Sequence, residues 1–160
     1  MKNKVIELMK NHFGSNQKWI IHTLRVLEYV EEIIQGEDIK YPFIKDVVIL
    51  SAIFHDVGIP ISEKKYGNRE DKNQEREGEK ITRELLDKLN VRDDIKERVI
   101  YIVAHHHTSS AIDGPDFEIL WDGDLLTNIK EGRTDTGNYP KERWFKTRSG
   151  EKIYEDKGAI

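Results

Sequence analysis

Cysteine is absent from all 160 residues, which excludes disulfide frameworks, thiolate-held zinc and iron–sulfur clusters. Any metal bound by this chain must be held by imidazole and carboxylate. Long apolar runs are absent too. None approaches the ~20 residues that a membrane-spanning helix needs. The opening residues Met1 to Glu7 carry neither the apolar stretch nor the cleavage site of a secretory signal, so a cytoplasmic location is expected. An excess of positive charge is also missing. The formal net charge is −4, which provides no electrostatic footprint for nucleic acid. Only 37% of residues are hydrophobic against 35% charged, a balance that suits amphipathic helices with charged outer faces. No internal repeat, low-complexity tract or credible strand is visible.

What is present is helical periodicity, in a chain long enough for one domain with a substantial core. A first short helix covers Lys2 to Asn11. Gly14 and Ser15 interrupt it, with Ser15 as the expected N-cap of the next. The second helix runs to about Gln35 with Ile20, Leu24, Leu27 and Ile34 at 3.6-residue spacing, and Gly36 closes it. Pro42 opens a third helix, Phe43 to Val57, which Gly58 and Pro60 stop. Residues Gly58 to Asn73 are polar and read as a long loop, either functional or disordered. Three further helices cover Gln74 to Leu89, Asp93 to His106 and Asp116 to Lys130, with Asp93 and Asp116 as N-caps. The fold class is therefore all-α, a bundle of about six helices. Residues 1–131 form the helical domain. Residues 132–160 form an irregular tail, partly docked through Trp144 and Phe145.

The chemistry concentrates at His55 and Asp56, an imidazole and a carboxylate closing the apolar run Val47 to Phe54. Polar groups in such a setting are costly unless paired or bound to a metal. His22 upstream and Asp124 downstream have the same apolar flanks, and each is expected to face inward. Neighbouring helical residues point about 100° apart, so His55 and Asp56 converge on one ion only if it sits beyond the helix end. Two imidazoles and two carboxylates suit Mn²⁺, Fe²⁺, Co²⁺, Ni²⁺ or Zn²⁺, with Mg²⁺ as an option, better than Ca²⁺. Four protein ligands leave an octahedral ion two open positions, the mark of a catalytic site.

In order, His22, His55-Asp56 and Asp124 resemble the H…HD…D signature of the HD-domain metal-dependent phosphohydrolase superfamily. Ala52-Ile53-Phe54-His55-Asp56-Val57-Gly58 is similar to that family's Ala-x-Leu-His-Asp-Ile-Gly stretch, and His22-Thr23-Leu24-Arg25-Val26 to its first motif. Ile102 to His107 resembles its Ile-x-x-His-His segment. Gly123 to Asn128 resembles its Ala-Asp-x-Leu-x-Asn segment, which puts the ligand at Asp124 rather than Asp122. The likeness spans about residues 15 to 130.

The resemblance implies an all-α domain with a metal in a central cleft. The implied reaction is hydrolysis of a phosphoester or phosphoanhydride, in a nucleotide or another small phosphorylated metabolite, by a metal-activated water. His22, His55, Asp56 and Asp124 are the expected ligands, with Asp56, His106, His107 and Glu77 as catalytic candidates. Arg25, Lys64, Lys65 and Arg69 are candidate substrate contacts. One metal is favoured over two, because Gln74 stands where two-metal relatives carry a further His. Ile59 stands where some relatives carry a general acid/base Glu; Glu75 and Glu77 are the candidate substitutes. A monomer or homodimer, with no nucleic-acid or membrane partner, is expected. Two rival readings are a non-catalytic nucleotide-binding sensory module and a di-iron HD-type oxygenase.

Overall fold

The computed structural model of the chain describes residues 1–157. Among these residues there are eight α-helices and no strand. The helices are α1 (Lys2–Phe13), α2 (Gln17–Gly36), α3 (Pro42–Phe54), α4 (Ile59–Tyr66), α5 (Asp71–Asp87), α6 (Asp93–His105), α7 (Pro115–Lys130) and α8 (Arg148–Lys157). No described helix is long and apolar enough to cross a membrane.

Helix α3 is the axis of the bundle. It carries almost no polar residue after Asp46, so it has no face to offer water. It is accordingly packed by α1, α2, α6 and α7, and Val47, Val48, Ala52, Ile53 and Phe54 are fully buried. Each of these side chains other than Ala52 contributes roughly 1.5–3 kcal/mol of burial free energy. Helices α2 and α7 make the most extensive helix pairing, and Gly123 is the reason they approach so closely. A Cβ at Gly123 would lie 2.4 Å from Val30 Cγ1. The adjacent residue is Asp124, so the same close approach brings it towards His22 on α2.

Helix α3 ends at Phe54, and residues 55–58 form a turn between it and α4. His12 on α1 donates its Nε2–H to Val57 O at 2.7 Å and ties this turn to the N-terminal helix. Gly58 allows the turn to pass against α5. A Cβ there would lie 2.3 Å from Gln74 O and 2.6 Å from Gly78 N.

Two elements depart from the expected layout. The stretch expected as a loop over 58–73 contains α4, and α5 begins at Asp71 instead of Gln74. Helix α4 has only eight residues, and its tertiary contacts with α5, not its own periodicity, hold it in place. The tail is irregular from 131 to 147 apart from one 3₁₀ turn, but it then forms α8. That helix is polar, with Ile153 as its only buried large side chain. Trp144, Phe145 and Tyr154 form an aromatic cluster, with Phe145 and Tyr154 packed on the core. The expected N-caps also shift by one or two residues: Asn16, Arg92 and Gly114 take the places assigned to Ser15, Asp93 and Asp116.

Candidate metal centre

His55 and Asp56 lie just past the C-terminus of α3, so the cluster forms beyond a helix end. Helix α2 supplies His22, and α7 supplies Asp124. Ligand atoms from His22, His55, Asp56 and Asp124 all lie within 4.8 Å of one another, and the first three residues are buried. His22 Nε2 is 3.1 Å from Asp56 Oδ2 and 3.2 Å from Asp124 Oδ1. His55 Nε2 is 3.1 Å and 3.4 Å from the same two oxygens.

The outer ring nitrogens fix the tautomers. His55 Nδ1 lies 2.8 Å from Ala52 O, and His106 Nδ1 lies 2.8 Å from Val103 O. A carbonyl only accepts, so both Nδ1 atoms donate. His22 Nδ1 likewise donates to Glu131 Oε1 at 2.8 Å. When neutral, the three imidazoles therefore turn Nε2 lone pairs towards carboxylate oxygens. The Nε2 atoms of His55 and His106 are buried without a hydrogen-bond partner among the described residues. Lone pairs facing anions need a cation between them. A proton or a divalent metal satisfies that need, and imidazoles anchored through Nδ1 have the arrangement typical of metal ligands. The residues present therefore fit a divalent ion.

The electrostatics agree. Burial alone would lower the His22 pKa, but Asp124 and Asp56 outweigh it and push it up to about 10. Burial also opposes the charge on His55, yet Asp56 and Asp124 raise it well above its ordinary value. Burial would raise Asp56, but His55, His106 and His22 hold it well below the usual carboxylate range. The cluster is thus built to hold positive charge.

The remaining expected residues divide into two groups. His106 reaches the centre: its Nε2 is 3.3 Å from Asp56 Oδ1, the oxygen not shared by His22 and His55. His107 lines the cleft, and its Nε2 lies 3.0 Å from Gln74 Oε1. Asp56, His106 and His107 form a second group with metal-ligand spacing. Burial, followed by the charge of His106, pushes the His107 pKa down to about 3. His105 turns away, with its Nδ1 on Tyr101 O and its ring against Tyr101. Arg69 lines the cleft.

The structure does not bring Glu77 to the cleft. Its carboxylate is taken by Tyr66 Oη at 2.8 Å and by Lys65 and Lys80, a pairing across α4 and α5 that local sequence does not reveal. Lys65 is thereby also engaged away from the cluster. Lys64 is exposed on α4 and does not line the cleft. Glu75 accepts from His107 N and Thr108 Oγ1, holding the segment that follows α6. Arg25 pairs with Glu131 Oε2 at 3.0 Å and lies beside the cluster, outside the cleft lining.

Sequence reasoning missed Glu131, which orients His22 and gathers Arg25 and Arg133. A signal existed. Asp124, Asn128 and Glu131 stand at i, i+4 and i+7, one stripe of α7 continued just past its end. Asn128 Nδ2 donates to Asp124 Oδ1 at 3.3 Å. Asp122 serves a different purpose. It is fully buried and accepts from Lys146 N, Thr147 N and Thr147 Oγ1, which fastens the tail to α7.

The cluster forms the floor of a cleft of about 480 Å³, walled by Trp19, Ile59, Arg69, Gln74, Asn128 and Arg133. That volume is within the range of small-molecule sites. Comparison with known proteins adds three findings. A family model described as HD domain matches residues 19–149. No curated protein matches the chain. The fold is similar to the 1.45 Å crystal structure of a predicted HD superfamily hydrolase from an uncultured Thermotogales bacterium. The TM-score is 0.72 at 22% identity, over 96% of this chain and 83% of that one.

Proposed function

The chain belongs to the HD domain family, and from that premise we propose that it is a metal-dependent phosphohydrolase acting on a small phosphorylated metabolite, a nucleotide being the leading candidate. The observation that carries this reading is the ring of Nε2 lone pairs and carboxylates at the floor of an open cleft. His22, His55, Asp56 and Asp124 would hold the ion. A divalent cation there supplies Lewis-acid polarisation of a phosphoryl oxygen and a lowered pKa for a water. The rest is left to the chain's own side chains. Asp56 Oδ1 and His106 Nε2 form a couple suited to taking a proton from the attacking water and returning one to the leaving oxygen. His107, held neutral by burial and then by the charge of His106, gives its one N–H to Gln74 Oε1 and leaves Nδ1 as an uncharged acceptor.

A single ion is proposed. Gln74 uses its side chain to orient His107 and to bond Arg69 O, so this position supports a neighbour instead of ligating. A count of one metal per chain would support this and remove the di-iron reading.

The test is hydrolysis of an aryl phosphate and a nucleotide panel with added Mn²⁺, against Asp56→Ala. Activity no higher than that control sinks the proposal. One observation favours a second reading, nucleotide binding without turnover. Ile59 fills the place of the general acid/base Glu, and the substitutes Glu75 and Glu77 are both engaged elsewhere. Thermal stabilisation by a nucleotide with no product formed would select it.

A further inference from the structure

We propose that Arg69 and Arg133 form a two-guanidinium seat for a terminal phosphate above the metal cluster, so that the preferred substrate is a phosphomonoester rather than a phosphodiester. The substrate preference rests on the hydrolase reading above; the seat itself does not.

Both arginines line the cleft. Both guanidinium groups lie against the ring of Trp19, with Arg69 Cζ at 5.2 Å and Arg133 Cζ at 4.6 Å from its centroid. Trp19 is buried and meets His22 edge-on, with ring centroids 5.6 Å apart. It is therefore a post, with a metal-ligand imidazole at one side and three cations beside it, Lys18 Nζ at 5.1 Å as well as the two arginines. Its burial removes it as a base-stacking platform and makes it a positioning residue.

The arginines come from two separate connections, before α5 and after α7, and are both anchored. Arg69 sits between α4 and α5, where Gln74 Nε2 bonds its carbonyl. Asn68 beside it accepts from Glu70 N and Asn73 Nδ2. The Arg69 side chain has no ion pair or hydrogen bond among the described residues; the Trp19 ring is its contact. Arg133 follows α7. Its backbone N bonds Asn128 O, and its Nε donates to Glu131 Oε1 at 3.0 Å. Its terminal nitrogens stay available.

Three like charges beside one ring repel, and of the three only the two arginines line the cleft. The local charges explain it. A divalent cation matches Asp56 and Asp124. Glu131 is the one carboxylate serving both Arg25 and Arg133. The cleft wall is then left with more guanidinium than carboxylate. Glu70, the other acid along the lining, is exposed at the rim, where solvent screens it. A phosphomonoester near neutral pH carries about −1.5 to −2 charges on three terminal oxygens, and guanidinium forks match that geometry. A diester brings a single charge and a second substituent where the seat expects an oxygen.

The experiment compares p-nitrophenyl phosphate with bis(p-nitrophenyl) phosphate on manganese-loaded protein, and measures inorganic phosphate binding by calorimetry. The variants are Arg69→Met, Arg133→Met and Arg133→Lys. Both sites are surface positions, and metal content is measured in every variant. The monoester should be the better substrate by kcat/KM. Each Met variant should raise its KM about tenfold, the loss of one charge-assisted contact, with a smaller effect on the diester. Phosphate affinity should fall by a similar factor, and Arg133→Lys should recover part of it. The proposal is overturned if wild type prefers the diester, if both esters lose equally, or if phosphate affinity does not change. If neither ester is turned over, the hydrolase reading falls, and calorimetry alone decides the seat. Phosphate binding that weakens in both Met variants sustains it; no phosphate binding to wild type removes it.

Discussion

Replacing Asp122 by Ala should detach the tail without touching the metal. Asp122 is fully buried, and its two oxygens accept three hydrogen bonds, from Lys146 N at 2.8 Å and from Thr147 N and Oγ1 at 2.7 Å. Water can reach the half-buried Lys146 once the carboxylate is gone, so its amide is not left stranded. Thr147 is only 8% exposed, and both of its donors lose their acceptor. Each unpaired buried donor costs about 1–3 kcal/mol, so Asp122→Ala should destabilise by about 2–6 kcal/mol, against the 5–15 kcal/mol typical of a whole domain. The damage should spread, because Thr147 Oγ1 also accepts from Gly150 N at the start of α8. Asp122→Asn keeps the shape but turns an amide donor towards one backbone N–H, and should cost about 1–3 kcal/mol. Urea unfolding measures the ranking Ala below Asn below wild type. Trypsin should cut the Ala variant faster after Lys146 and Arg148. Metal stoichiometry should stay at the wild-type value. An unchanged urea midpoint would refute the docking argument. Loss of the metal from a folded Asp122→Ala protein would refute the assignment of Asp124, not Asp122, to the centre.

Four other outcomes follow from the geometry. His55→Ala or Asp56→Ala should abolish metal retention, and chelation should lower the Tm of wild type, which added Mn²⁺ restores. A ligand at 100 times its Kd contributes about 2.7 kcal/mol, and a Tm unmoved by chelator would count against a bound ion. Metal affinity should rise with pH, because His22 is held up to about 10 by Asp124 and Asp56 against burial and so carries a proton at pH 7 that the cation must displace. Calorimetry in buffers of different ionisation enthalpy should find at least one proton released per ion. The same shift means that the metal-free protein has the full His22 contribution to stability below pH 6.5 and loses it as pH climbs through about 10. Glu131→Gln, which removes the charge facing His22 Nδ1, should weaken metal binding about 10–100-fold in a chelator competition. Gly58→Ala should lower stability by about 1–3 kcal/mol, since its Cβ would meet backbone atoms of Gln74 and Gly78; an unchanged Tm would show that the turn can move aside.

Much of the centre was legible in sequence because its ligands interrupt apolar periodicity. His22, His55 and Asp124 each break a hydrophobic run that would otherwise need no polar group, and burial makes such a break costly unless something is bound. Helices α1, α2, α3, α6 and α7 were legible for the same reason, since each buries a continuous stripe or, for α3, nearly all of its surface after Asp46. Helices α4 and α8 were not. The first is short and the second is polar, and contact with the body, not pattern, makes them helices.

Linear sequence therefore decided the helical class, much of the core and the polar breaks at His22, His55 and Asp56, because those depend on local spacing and on the cost of burying polar atoms, while the choice of Asp124 over Asp122 came from the resemblance to the HD family. Only the folded chain decided who serves them. Glu131 meets His22 across 109 positions, Gln74 meets His107 across 33, and Glu77 is claimed by Tyr66 and Lys65 instead of the cleft. A charged side chain on an exposed helix face looks the same in sequence whatever it pairs with. Its partner is chosen by how α2, α5 and α7 pack, and spacing along one helix carries no information about that.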